Sequence, residues 1–208
     1  MSERRTDTAA PDLRPLTGAF RADGRALSID EYEAAGGYEA LRTALRDMTP
    51  PEVTTLVGDS GLRGRGGAGY ATGRKWSFVP LGADAPAPKY VVCNGDEMEP
   101  GSFKDRFLIE GSPHALIEGM ALACYAIHGT TGYIFLRAQY DKPHALLTRA
   151  IEEAHDRGYL GERILGSDFS LDIHVHVSIG RYMCGGRARG FGRWLSSALS
   201  MADASPQM

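Results

Sequence analysis

Three apolar segments alternate with longer amphipathic segments, and this alternation constrains the fold more than any other feature of the sequence. KYVVCN, TGYIFLRAQY and SLDIHVHVSIG, which begin at residues 89, 131 and 170, have the length and composition of strands. Between them, SPHALIEGMALACYAIHG and DKPHALLTRAIEEAHDRG carry apolar residues at helical spacing. The pattern predicts βαβ crossovers, and therefore an α/β fold with a Rossmann-like parallel sheet that helices cover on both faces.

The segment before the first strand is predicted to be helical. Apolar residues within SIDEYEAAGGYEALRTALRDM are spaced as on one face of a single amphipathic helix: Tyr38, Leu41, Leu45 and Met48. A second helix should begin at Thr49, since Thr49 and Glu52 form a capping box and Pro50 occupies the first helical position, and end near Gly58. Ser112 is expected to cap the helix between the first two strands.

Length and composition predict an ordinary globular domain. A chain of 208 residues is long enough for one domain, which we place at residues 28–185 after an N-terminal arm of residues 1–27. The net charge of −3 argues against nucleic-acid binding. The absence of a long apolar run predicts no membrane span and a cytoplasmic location. The three cysteines are too far apart for a CxxC motif, so we expect no metal site.

A glycine-rich basic segment, GLRGRGGAGYATGRKW, occupies residues 61–76 and contains six glycines and four basic residues. Bare backbone N–H groups and cationic side chains together favour an anion, above all a phosphate. The spacing Gly64-x-Gly66-x-x-Gly69 matches the dinucleotide fingerprint only superficially, because that fingerprint follows a strand and this segment follows a predicted helix. The alternative is a flexible basic surface loop.

An acidic segment, CNGDEMEPGSFKDR, follows the first predicted strand. Asp96, Glu97 and Glu99 are so close together that they need a partner: a cation, basic side chains, or the hydroxyl and N–H groups of a ligand. Asn94 can both donate and accept hydrogen bonds. Ligands of parallel sheets bind at the carboxyl ends of strands, where this segment lies. A solvated acidic turn is the alternative.

Two further features are weaker. Cys184, in the GRYMCGG turn after the third strand, has no neighbouring histidine in the sequence and is better explained as a packed thiol than as a nucleophile. His174 and His176 share one face of the third strand, where packing or solvent exposure explains them better than metal binding.

Five motifs, taken in order, closely resemble the NADH-binding, FMN-containing subunits of bacterial respiratory complex I. They are GLRGRGGAGYATGRKWSFVP, YVVCNGDEMEPGSFKDR, LIEGMALACYAI, GYIFLRAQY and GRYMCG, and the resemblance runs from about residue 28 to 185. Diaphorase subunits of NAD-reducing hydrogenases and of NAD-dependent formate dehydrogenases share these motifs and are the close alternative.

The resemblance implies a shared FMN and NADH pocket. The implied cofactor-binding positions are Gly64, Arg65, Gly66, Gly67, Gly69, Tyr70, Lys75, Phe78, Asn94, Asp96, Glu97, Glu99 and Tyr182. By resemblance, Tyr70 and Phe78 stack on the NADH adenine, Lys75 meets a phosphate or the flavin, and Asp96 and Glu97 act at the reacting rings. The implied reaction is hydride transfer from NADH to FMN, followed by one-electron transfer to an iron–sulfur cluster, with the redox chemistry supplied by the flavin.

The family also implies partners: a thioredoxin-like iron–sulfur subunit and a larger iron–sulfur subunit, in a complex at the inner face of the cell membrane. In the family CGEETAL follows the tyrosine, whereas this chain has Gly186 and Arg187 in place of two glutamates, and a divergent tail over residues 186–208. The family's [4Fe–4S] cysteines are absent, so we expect this chain to ligate no cluster. A truncated or frameshifted gene product is predicted. A non-catalytic remnant and a standalone flavoprotein are the alternatives.

Overall fold

The computed structural model describes residues 16–179, which form a three-stranded sheet flanked by helices. The strands are β1 (Tyr90–Gly95), β2 (Thr131–Leu136) and β3 (Asp172–Val177). Their order in the sheet is β1-β2-β3, and both pairs are parallel. The parallel α/β sheet predicted from the alternation of strands and helices is therefore confirmed.

The described residues contain seven α-helices. They are α1 (Ile29–Ala34), α2 (Glu39–Asp47), α3 (Pro50–Asp59), α4 (Thr72–Trp76), α5 (Lys104–Gly111), α6 (Pro113–Ile127) and α7 (Asp141–Asp156), with a 3-10 turn at Ile164–Gly166. Helices α5 and α6 connect β1 to β2, and α7 connects β2 to β3. Helix α5 begins inside the acidic segment, at Lys104.

The core lies between one face of the sheet and helices α6 and α7. Its fully buried apolar side chains include Ile117, Cys124, Ile134, Leu136, Leu147 and Ile173. The strands contribute side chains to this core from every second position, as the two-residue period of a strand requires. This packing positions the carboxyl ends of the three strands along one edge of the domain.

The side chains on the opposite face of the sheet are mainly aromatic and histidine rings. Tyr90, Tyr133 and His174 are in contact across the three strands, with ring centroids 6.2 and 5.5 Å apart. Phe135 stacks on His176 in a second row, at 5.7 Å. Both histidines are exposed, as the sequence predicted. Among residues 16–179, helices therefore cover one face of the sheet, whereas the sequence predicted cover on both.

The segment that was predicted to form the first helix forms two helices, α1 and α2, so the prediction of one helix was wrong. The chain turns between α1 and α2, where Gly36 and Tyr38 have positive φ angles of 90° and 61°. Glu118 of α6 stabilises this break from outside. Its carboxylate accepts hydrogen bonds from the Tyr32 hydroxyl (2.5 Å) and from the backbone N–H groups of Tyr38 (2.8 Å) and Leu41 (3.1 Å). A carboxylate far along the chain thus caps α2.

The other two predicted helix starts have different outcomes. The capping box of α3 is confirmed, with the Glu52 carboxylate 2.7 Å from both the backbone nitrogen and the hydroxyl of Thr49. Ser112 lies at the start of α6, but the prediction that its side chain caps the helix is wrong. Its hydroxyl is buried and has no hydrogen-bond partner among the described residues. Helix α5 ends at Gly111, immediately before Ser112, and the backbone of Ser112 does not have the extended conformation typical of an N-cap residue.

Residues 16–27, which the sequence assigned to an N-terminal arm, lie against α5 and α1. The ring of Phe20 contacts that of Phe107 at 5.4 Å, and the Leu27 backbone N–H donates to the Gly111 carbonyl at 3.0 Å. Arg21 pairs with Glu31. These contacts extend the described domain to the N-terminal side of α1.

A buried histidine joins the N-terminal helices to α7. His114 is fully buried on α6, with the Tyr38 hydroxyl 2.9 Å from Nδ1 and the Glu153 carboxylate 2.9 Å from Nε2. Burial lowers the pKa of His114, although Glu153 opposes the shift. The folded protein therefore holds this imidazole neutral at pH values where an exposed histidine is charged.

This burial predicts a pH-dependent stability. The unfolded chain takes up a proton on His114 near pH 6.5 and the folded chain only at lower pH, so stability falls as pH decreases below about 6.5. We expect this group to contribute a slope of up to about 1.4 kcal/mol per pH unit in urea denaturation, and His114→Gln to remove that contribution. The exposed His155→Gln is the control; equal flattening of the profile by both variants would contradict the assignment.

Candidate functional site

The glycine-rich segment forms a short hairpin. Its two legs are joined by hydrogen bonds from the Gly64 N–H to the Tyr70 carbonyl and from the Thr72 N–H to the Leu62 carbonyl, both 2.9 Å. Residues 65–69 make the tip. Gly67 and Gly69 have φ angles of 108° and 60°, a conformation that residues with a Cβ atom rarely adopt.

The tip of the hairpin exposes its backbone. Within the described part of the chain, no neighbouring atom lies within 4 Å of the position that a Cβ would take at Gly66, Gly67 or Gly69. Arg65 and Lys75 are both exposed. Open N–H groups and exposed cationic side chains can bind an anion, and this is the chemistry that the sequence predicted for the segment.

Helix α4 follows the hairpin and carries Lys75. It packs on α3 through Gly73, where an added Cβ would lie 2.9 Å from the Thr54 carbonyl oxygen and closer still to the backbone of Gly58. Trp76 anchors the same helix against a small apolar cluster that includes Val53. Gly73 was not among the predicted site residues, because its role depends on a helix contact that the sequence does not display.

Tyr70 and Phe78 lie together at the surface. Their ring centroids are 6.5 Å apart, and their exposed fractions are 45% and 64%. Such a pair presents flat apolar surface to solvent, which suits contact with a planar ring. The structure thus brings together the two aromatic residues that the sequence paired.

Asp96 lies just beyond β1 and has one carboxylate oxygen without a partner among residues 16–179. Its backbone N–H donates to Asn94 Oδ1 (3.0 Å), and its Oδ2 accepts from the Ser178 hydroxyl (2.7 Å). Asp96 Oδ1 is buried and accepts no hydrogen bond from residues 16–179. A buried acceptor normally has a donor, so this oxygen is able to accept a hydrogen bond from a bound group. Ser178, which follows β3, was not predicted.

Glu97 faces the other way and caps α5. Its buried carboxylate accepts hydrogen bonds from the backbone N–H groups of Asp105 (3.2 Å) and Arg106 (3.3 Å) and from the hydroxyls of Ser102 (2.7 Å) and Tyr140 (3.1 Å). Burial opposes ionisation, but these hydrogen bonds prevail and lower the pKa of Glu97. The geometry assigns Glu97 to the start of α5; its action on a cofactor stays a prediction.

The remaining predicted site residues are distributed as follows. Glu99 is exposed after β1, and Asn94 is exposed at the end of β1. Tyr182, Cys184 and the altered positions Gly186 and Arg187 lie outside the described residues. The approach of the hairpin to the acidic segment, as two walls of one pocket, stays a prediction.

Residues 16–179 contain neither a membrane span nor a metal centre. None of the helices there combines the length and apolar character that crossing a bilayer requires. No group of three histidine, cysteine, aspartate or glutamate side chains in that part of the chain is arranged as metal ligands.

Known proteins resemble this chain in sequence. A profile of the family described as the Nuo51 FMN-binding domain matches residues 57–189. The second F-type subunit of NADH-quinone oxidoreductase from Rhizobium meliloti (strain 1021) is 53% identical over 163 residues, 78% of this chain and 38% of that protein. The F-type subunit from Escherichia coli (strain K12) is 46% identical over 175 residues, 84% of this chain and 39% of that protein. The chain therefore spans under two fifths of the length of these relatives.

A solved structure resembles it in fold. The crystal structure of an NAD⁺-reducing [NiFe]-hydrogenase in the H2-reduced state aligns with a TM-score of 0.61 and 31% sequence identity, over 79% of this chain and 27% of that one. Sequence and fold agree with the motifs that begin at the glycine hairpin. The chain belongs to the Nuo51 FMN-binding domain family.

Proposed function

We propose that this chain is the FMN- and NADH-binding part of an NADH-quinone oxidoreductase flavoprotein, which takes hydride from NADH and passes electrons to an iron–sulfur cluster outside this chain. The family membership and the name of the E. coli relative support the class of reaction. The observation that carries the proposal is Asp96 Oδ1, a buried acceptor without a donor among residues 16–179, at the carboxyl ends of the strands.

The residues present fit FMN. Asp96 Oδ1 would accept a hydrogen bond from one of the N–H or O–H groups of the flavin. The hairpin tip, with Arg65 and Lys75, would hold a phosphate group. Tyr70 and Phe78 present the ring surface that the adenine of NADH needs. The acceptor, the cations and the rings therefore each match one part of the two cofactors.

In this proposal the bound flavin supplies the capacity to accept a hydride and to release electrons singly. The chain's own residues bind and orient. Asp96 would orient the flavin by accepting a hydrogen bond from its polar edge, while the cationic hairpin would balance the charge of a phosphate group. Glu97 keeps the start of α5 in place directly beside Asp96. None of these steps needs a side chain to change its own oxidation state.

Partners and location extend the proposal. As a relative of the F-type subunits, the chain would work beside other subunits of a complex, with a thioredoxin-like iron–sulfur subunit and a larger iron–sulfur subunit as neighbours. A peripheral position at the inner face of the cell membrane follows from the same assembly. Pull-down of either iron–sulfur subunit from its own cell by the full chain tests this arrangement.

A diaphorase role in an NAD-linked hydrogenase is the second candidate, and the structural likeness to the NAD⁺-reducing hydrogenase favours it. The higher identity, 53% against 31%, supports the quinone-linked function. Co-purified partner subunits separate the two: a nickel–iron subunit would identify the hydrogenase, and its replacement by complex I subunits would identify the oxidoreductase.

The experiment for the proposed function is a titration of the full chain with FMN, followed by NADH. We expect a yellow protein whose flavin absorbance bleaches when NADH is added anaerobically. Asp96→Ala should weaken FMN binding by about tenfold, since a charge-assisted hydrogen bond to a buried acceptor is lost. Glu110→Ala is the control, because Glu110 of α5 pairs with Arg106 on the same helix and with Lys142 on α7.

Three outcomes oppose the proposal. A protein that stays colourless in excess FMN would identify a non-catalytic remnant of the family. Equal weakening by Asp96→Ala and Glu110→Ala would show that the acidic segment holds no ligand. A protein that is yellow and bleaches, but transfers electrons only to soluble acceptors, would instead indicate a standalone flavoprotein.

A further inference from the structure

We propose that Ser178 is a positioning residue for the ligand site: its hydroxyl holds the Asp96 side chain so that Oδ1 stays turned to the ligand. This inference rests on the proposed function and adds a residue to it. The Ser178 hydroxyl donates to Asp96 Oδ2 at 2.7 Å, while Asp96 Oδ1 is buried and accepts nothing from residues 16–179. Ser178 thus holds Oδ2 of Asp96, and Oδ1 is left to accept a hydrogen bond from the ligand.

The sheet fixes the position of this hydroxyl. The Ser178 backbone N–H donates to the Leu136 carbonyl at 2.7 Å, which continues the pairing of β2 and β3 by one residue. Ser178 is only 4% exposed, so its side chain has little room to turn toward solvent. The donor is therefore anchored directly after β3, and the carboxylate that it holds lies directly after β1.

Asp96 is held from its own side as well. Its backbone N–H donates to Asn94 Oδ1 at 3.0 Å, which fixes the turn that follows β1. The remaining freedom is rotation of the carboxylate about the side-chain bonds. The hydrogen bond to Oδ2 restricts this rotation, because turning the carboxylate about its Cα–Cβ or Cβ–Cγ bond would break the bond.

The held geometry has a cost that a ligand can offset. A buried carboxylate oxygen without a donor is unfavourable, and natural proteins keep such atoms mainly where a bound group completes them. Preorganised acceptors bind a donor more tightly than mobile ones because the ordering is already done in the free protein. The ligand group that fits is a neutral N–H or O–H donor, as on the flavin ring or ribityl chain.

A double-mutant cycle on the full chain tests the inference. FMN affinity is measured by quenching of flavin fluorescence for the wild type, Ser178→Ala, Asp96→Asn and the double variant. We expect Ser178→Ala to weaken FMN binding by about 5–10-fold alone and by less than about twofold in the Asp96→Asn background. A residue that merely supports the fold would weaken binding by the same factor in both backgrounds, and that result would overturn the proposal.

The orientation of Asp96 gives a second readout that needs no ligand. Crystal structures of the wild type and of Ser178→Ala should show the carboxylate in different rotamers; an unchanged rotamer would overturn the inference. If the alanine variant fails to fold, Ser178→Cys replaces it, because a thiol has nearly the same shape and donates only weakly. A wild type that binds no FMN would refute the proposed function, and the rotamer comparison would then decide the role of Ser178.

Discussion

Replacement of Glu118 with alanine is expected to lower the free energy of unfolding by about 3–5 kcal/mol, because two buried donors and one part-buried donor lose their acceptor at once. These are the Tyr32 hydroxyl and the backbone N–H groups of Tyr38 and Leu41. Tyr38 has no side-chain cap of its own to offer α2, so no other group replaces the carboxylate. Urea denaturation of the full chain, followed by circular dichroism, measures the change.

Glu118→Gln separates capping from packing. The amide keeps the shape, but both carboxylate oxygens face donors, so its NH2 group must oppose one of them. We expect a loss of about 1–3 kcal/mol for this variant. Glu152→Ala, at an exposed position on α7, is the control and should change stability by less than about 0.5 kcal/mol. A loss below about 1 kcal/mol for Glu118→Ala would contradict the tertiary cap.

Gly73→Ala is expected to destabilise the protein by about 1–3 kcal/mol, since its Cβ would overlap the backbone of α3. The Thr54 carbonyl and the Gly58 backbone cannot swing aside as a flexible side chain would. Helix α4 must therefore shift, and Lys75 shifts with it. We expect weaker FMN binding by the folded fraction, measured by fluorescence quenching at a temperature where the variant is fully folded.

Gly119→Ala is the matched control for this variant. Gly119 is exposed inside α6, and no atom of residues 16–179 lies within 4 Å of the position its Cβ would take. Alanine is the better helix former there, so the protein should gain about 0.5–1 kcal/mol. Opposite signs for the two glycines are the expected result. A stabilising Gly73→Ala would show that α4 does not pack on α3 as described.

The sequence predicted the parallel sheet and the capping box of α3 because both depend on local patterns. Apolar runs of strand length appear directly in the letters, and so does Thr49 followed three residues later by Glu52. Tyr70 and Phe78, which the structure brings together, were paired by resemblance instead. Local patterns of this kind can be recognised in a sequence because a few neighbouring residues suffice to define them.

What the sequence did not predict depends on distant residues. Two helix starts, at α2 and α5, have no local cap and are completed by Glu118 and Glu97 from elsewhere in the chain. The break before α2 was missed because the acceptor that stabilises it, Glu118, lies on α6. Ser178 is invisible for the same reason, because it meets Asp96 only when β1 and β3 share a sheet.

The ordered legs of the glycine hairpin limit the entropic cost of the anion binding that we propose for its tip. Its paired legs are already ordered in the free protein, so binding has to restrict only residues 65–69 out of residues 61–71. Ordering one backbone residue costs about 1–2 kcal/mol of conformational entropy. The two cross-hairpin bonds would thus confine that loss to the tip in the anion complex that we propose.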